Sequence, residues 1–227
     1  MIIAGAGALF TVPLQARATA RRHALVGPDP VERAMDSMGG RALLERVRTV
    51  RWTGTATVPG SKKARESGVE TSFEPFRRAQ SQSFLLSEDR TSMRTLLIEG
   101  SNGATVIEGR QIAMPPARAL YESQQFGAYG YLLMAGVTWS ATGGGRLDGT
   151  HPDFPPITLQ CDTAGRVLAA DYAISAPDGD GVPIREHFRF SGVVSDKGLN
   201  WPKKILITQN GRPYSALVIE QLWVDLR

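Results

Sequence analysis

The amino-acid sequence predicts a mainly β protein of the α+β kind: a strongly curved antiparallel sheet with one helix packed in its concave face. Three observations lead there. Runs of residues alternate apolar and polar with a period of two, as in 49–58, where Val50, Trp52, Gly54, Ala56 and Val58 oppose Thr49, Arg51, Thr53, Thr55 and Thr57. Such runs recur at the spacing of a meander, with turn residues between them, notably Gly100-Ser101-Asn102-Gly103 and Asn210-Gly211. A single long stretch, 115–136, carries helical spacing instead.

Taken in order, residues 1–18 read as a secretory signal. They are apolar and small as far as residue 14, and Ala16-Arg17-Ala18 offers the small-x-small cut site. No Lys or Arg precedes the apolar run, so the true start lies upstream or the segment is a plain N-terminal helix. Residues 19–29 form a polar linker, and 30–227 a single domain. A short helix begins at Pro30, capped by Asp29 and ended by Gly39-Gly40, and a further turn follows in 41–47. After the strand at 49–58 come strands at 69–76, 78–86, 92–99, 105–107 and 111–114. Pro115-Pro116 start the long helix, in which Gly127 and Gly130 predict a kink. The span 141–156, with Gly143-Gly144-Gly145, reads as a loop. Strands at 156–162, 166–175, 183–194, 199–209 and 214–226 complete about ten.

Composition excludes several classes. Of 227 residues, 42% are hydrophobic and 21% charged, which fits neither a disordered chain nor a membrane bundle. The net charge of +4 is scattered over the chain without an aromatic-interleaved basic run, so no nucleic-acid partner is expected. A lone Cys161 allows neither an internal disulfide nor a cysteine zinc site. The three histidines, His23, His151 and His187, belong to no metal-binding or nucleophile motif, and no phosphate-binding glycine loop is present. No catalytic residue, cofactor or metal is therefore expected. The one enzymatic alternative places His187, Glu186 and Asp171 together as an acid/base group on neighbouring strands.

What remains is apolar surface on strands and helix, which a curved sheet under one helix can arrange around a cavity. The sequence GGRALLERVRTVRWTGTA at 39–56 resembles the opening of bacterial outer-membrane lipoprotein-sorting and carrier proteins of the LolA/LolB kind. So do the segments 190–194, GLNWPKKI at 198–205 and 216–224, which resemble their close. The resemblance runs over most of 39–226. It implies an unclosed β-barrel, an apolar cavity for acyl chains and export to the periplasm. The resulting expectation is a non-catalytic periplasmic carrier or binder of a lipid or lipid-modified protein, soluble and without a membrane span. Trp52, Phe73, Leu96, Ile98, Leu132, Leu133, Tyr172, Phe188 and Trp201 are the expected cavity wall. The alternative is an envelope interaction module, filled by its own side chains, that binds another envelope protein through a sheet edge or the span 141–156.

Overall fold

A computed structural model describes residues 29–60, 64–178 and 181–227. The expected signal and most of the linker lie outside these residues. The chain opens with α1 (Pro30–Met38), where Asp29 accepts the Val31 N–H at 3.0 Å and Pro30 occupies the first turn. Gly39 ends it at φ 128°, where a Cβ would lie 2.5 Å from the Gly198 carbonyl oxygen. Val31, Ala34, Met35 and Met38 are buried. Ser37 fixes the helix by donating to the Gly165 carbonyl at 2.9 Å and accepting from the Asn200 amide at 3.0 Å through its own carbonyl. A single turn, α2 (Arg41–Leu44), leads into the sheet.

The first six strands are β1 (Val47–Val58), β2 (Arg65–Glu74), β3 (Arg78–Leu85), β4 (Arg94–Glu99), β5 (Asn102–Ile107) and β6 (Arg110–Ala113). The long helix α3 (Pro116–Leu132) follows. The remaining strands are β7 (Thr138–Gly143), β8 (Arg146–His151), β9 (Phe154–Cys161), β10 (Val167–Ile174), β11 (Ile184–Asp196), β12 (Leu199–Gln209) and β13 (Arg212–Leu226). They form one 13-stranded sheet in the order β6-β5-β4-β3-β2-β1-β13-β12-β11-β10-β9-β8-β7. Every neighbouring pair is antiparallel.

The path explains the shape. The chain enters at the centre, meanders out to the β6 edge, crosses by α3 to the opposite edge at β7, and meanders back until β13 pairs with β1. Because α3 packs on β3, β4 and β5 and also on β9 and β10, strands far apart in the sheet reach the same helix. The sheet must therefore curl around α3 without closing, as predicted.

Two sequence expectations need correction. The span 141–156 is not a loop but holds β8, the end of β7 and the start of β9, with the turn between β7 and β8 made by Gly143, Gly144 and Gly145 at φ 89°, 59° and 78°. Strand β7 is exposed along nearly its whole length, so it carries no apolar alternation to read. The long helix stops at Leu132 rather than 136, since Met134 takes φ 57°. Gly127 and Gly130 do not interrupt it. They make room, because a Cβ on Gly127 would lie 2.5 Å from the Phe154 ring and one on Gly130 2.9 Å from Phe76.

Candidate functional site

Strand register orders the concave face into rows. The first row, Val50, Phe73, Ala79 and Ile98, is apolar and buried. The second is Trp52, Thr71, Ser81 and Leu96; the third, Gly54, Val69, Ser83 and Arg94. Beyond these stand Ala56, Ser67 and Leu85, and then Val58 with Arg65. The face thus passes from apolar to polar along the strands, because side chains two residues apart share a face and neighbouring strands align them.

Over this face lies a groove of about 500 Å³ between the sheet and α3, within the usual size of ligand sites, about 300–1,000 Å³. Its apolar lining comes from both halves of the sheet: Trp52, Ala56, Val69 and Leu96 on one side, Phe188, Ile207 and Leu217 on the other. From the helix it takes Phe126 and Tyr129, three residues apart and so on one face. The floor is an aromatic cluster. Trp52 meets Tyr129 edge-on at 5.2 Å between centroids and Phe73 at 5.6 Å, and stacks on Trp201 at 6.2 Å. Tyr129 reaches Phe188 at 6.5 Å.

One side of the groove is polar. The Glu186 carboxylate, 1% exposed, accepts from the Gln125 amide at 2.7 Å and the Gln209 amide at 2.8 Å through one oxygen, while its other oxygen has no hydrogen-bond partner among the described residues. Gln209 also donates to the Tyr121 hydroxyl at 2.7 Å, which donates to Tyr214 at 3.1 Å. Burial pushes the Glu186 carboxyl above its ordinary range against the two amide hydrogen bonds. Glu122, also buried, is pushed up by burial while its ion pair with Arg118 opposes the shift.

Of the nine residues expected to form a cavity wall, Trp52, Leu96 and Phe188 line this groove. Phe73 and Trp201 lie behind Trp52, and Ile98 sits one row deeper than Leu96. Leu132 and Leu133 are buried at the end of α3, and Tyr172 packs on Tyr131 at 5.9 Å. Sequence reading did not single out Phe126, Tyr129, Gln125, Tyr214, Arg65 or Arg94 as groove residues. Phe126 and Tyr129 had a signal, the shared helical spacing; the arginines had none, since strand register alone brings them to the concave face.

The acid/base alternative comes apart on the pleat. His187 pairs with Asp171 at 2.8 Å on one face of the sheet, and Glu186 points from the adjacent position to the other. Cys161 is buried, with its thiol pushed up to about 11 by desolvation. His151 stacks on Phe76 at 4.1 Å, and burial lowers its pKa. A wider groove of about 720 Å³ lies on the opposite face of the sheet, over Ser72, Gln80 and Leu97. Its rim carries the ion pairs Arg51–Asp225 at 3.8 Å and Arg78–Glu74 at 2.6 Å, together with Arg48 and Glu99. No group of three metal-ligating side chains occurs among the described residues, and none of their helices is long and apolar enough to cross a membrane.

The sequence matches no protein-family model and no curated protein. Its structure is similar to solved ones. A LolA superfamily protein from Nitrosomonas europaea superposes with a TM-score of 0.55 at 9% identity, over 86% of this chain and 92% of that one. A DUF1329 family protein from Desulfovibrio piger gives 0.57 at 10% identity, over 87% and 94%. A putative outer membrane lipoprotein-sorting protein domain from Vibrio parahaemolyticus gives 0.51 at 8%, over 78% and 85%. At these identities the likeness is one of fold: the chain has the open, helix-filled antiparallel sheet of the LolA superfamily protein.

Proposed function

We propose that the protein is a non-catalytic binder or carrier of a lipid or a lipid-modified protein, working in the bacterial periplasm. The observation that carries this reading is the groove under α3, with aromatic and aliphatic walls from both halves of the sheet. Apolar surface kept open beneath a helix is costly to leave wet, and an acyl chain covering it recovers about 25 cal/mol per Å². The groove supports a carrier over an interaction module filled by its own side chains. No nucleophile with a base beside it lines the groove among the described residues, and the His187–Asp171 pair lies across the sheet. The fold shared with a putative lipoprotein-sorting domain supports the same class of ligand and an envelope location.

Native mass spectrometry of delipidated protein, before and after adding a fatty acid or a diacylated lipopeptide, tests the reading. A bound species with a change in tryptophan emission is expected. Protein that stays empty with every amphiphile counts against the carrier. Fractionation of the native host, with sequencing of the mature N-terminus, tests the location; a start near Thr19 in the periplasmic fraction is expected.

A further inference from the structure

The polar end of the groove carries two arginines. Arg65 ends the row beyond Ala56, and Arg94 lies across Ser83 from Val69; both line the groove. Neither makes an ion pair among the described residues. Of the two buried carboxylates beside the groove, Glu186 is held by Gln125 and Gln209, and Glu122 pairs with Arg118 from the preceding turn of α3 while Arg94 favours its charged form without forming an ion pair with it. Serine hydroxyls at Ser67, Ser83 and Ser92 stand between the two arginines and complete a donor-rich mouth. The apolar floor at Trp52 lies three rows from Arg65 and one row from Arg94. A ligand along the groove would therefore meet aromatic rings at one end and guanidinium groups at the other.

We propose, resting on the lipid-binding reading above, that the ligand is an anionic amphiphile, a long-chain carboxylate, with its head at Arg65 and Arg94 and its tail toward Trp52. Guanidinium groups suit a planar carboxylate because they present paired donors in a fixed fork. A neutral head would leave both charges unmatched.

The test compares palmitate with hexadecanol, which keeps the tail and removes the charge, on wild-type protein and on the Arg65→Met/Arg94→Met double variant. Wild type is expected to bind palmitate about tenfold more tightly than hexadecanol, the scale of a charge-assisted hydrogen bond discounted for exposure. The double variant is expected to lose that preference while holding hexadecanol as before, which also shows that it is folded. Equal binding of both compounds by wild type overturns the head site and leaves the lipid-binding reading standing. Binding of neither overturns the lipid-binding reading itself. Hexadecyl phosphate or a diacylated lipopeptide binding more tightly than palmitate overturns the carboxylate head.

Discussion

At the scale of single residues, the groove separates side chains of similar chemistry by what they touch. Trp52 and Trp201 are both buried and stack on each other, yet only Trp52 lines the groove. Ligand-induced change in tryptophan emission is expected to vanish in Trp52→Phe and to persist in Trp201→Phe, measured with the same fatty acid at saturation. A change that survives Trp52→Phe unaltered places the ligand elsewhere. Glu186 offers a test by pH. Burial holds its folded-state carboxyl above its ordinary range of about 4.3. Folding therefore takes up a proton at this site, and its contribution to stability declines as pH rises from about 4 toward the raised value. Glu186→Gln can still accept from Gln125 and Gln209 but does not titrate. Urea unfolding at pH 4 and pH 7.5 is expected to show the variant gaining on wild type as pH rises. A gap that is constant or narrows with pH contradicts the assignment.

Elements show why some of this could be read from the chain and some could not. Strand β1 was legible because one face is buried and the other meets water, so its alternation survives in the sequence. The edge strand β7 lacks a buried face, so its last residues read as the start of a loop in the sequence. Gly127 and Gly130 were read as a kink because glycine weakens a helix by about 1 kcal/mol relative to alanine. The helix runs through both residues, and packing against Phe154 and Phe76 accounts for their lack of a side chain; no local pattern encodes a ring arriving from a distant strand or turn. The groove was legible only in class. Aromatics on strands announce apolar surface, but whether a ring faces a ligand or another ring depends on register between segments distant in sequence; Phe73 and Leu96 lie on neighbouring strands' partners and end in different rows. Gly54 belongs to this scale as well. It sits at the register shift between β1 and β13, where a Cβ would come within 2.1 Å of the Val218 carbonyl oxygen. Since backbone rather than a side chain would have to yield, Gly54→Ala is expected to cost about 2 kcal/mol or more, read as a lowered urea midpoint with unchanged slope. A midpoint equal to wild type shows that the two central strands part more easily than their pairing suggests.

For the whole molecule, the decisive fact is that two meanders meet at the β1–β13 pair and are bridged again across the open side by α3 and by the Phe76 ring on His151 and Phe154. An open sheet of this kind is held in its curl by what fills it. The groove draws Leu96 and Val69 from one meander, Phe188 and Ile207 from the other, and Phe126 and Tyr129 from the helix between them. A ligand seated there touches all three bodies and exists only for the curled state, so its binding free energy adds to the stability of the fold as one unit. With palmitate at a hundred times its Kd, the unfolding free energy is expected to rise by about 2.7 kcal/mol. The two halves should respond together, in one urea transition seen equally by far-ultraviolet circular dichroism and by tryptophan emission. If ligand moved the emission transition alone, it would be gripping one meander locally, and α3 would not be coupling the halves. If neither transition moved at saturating palmitate, the ligand would bind the unfolded chain as well as the folded one, and the groove would not be its site.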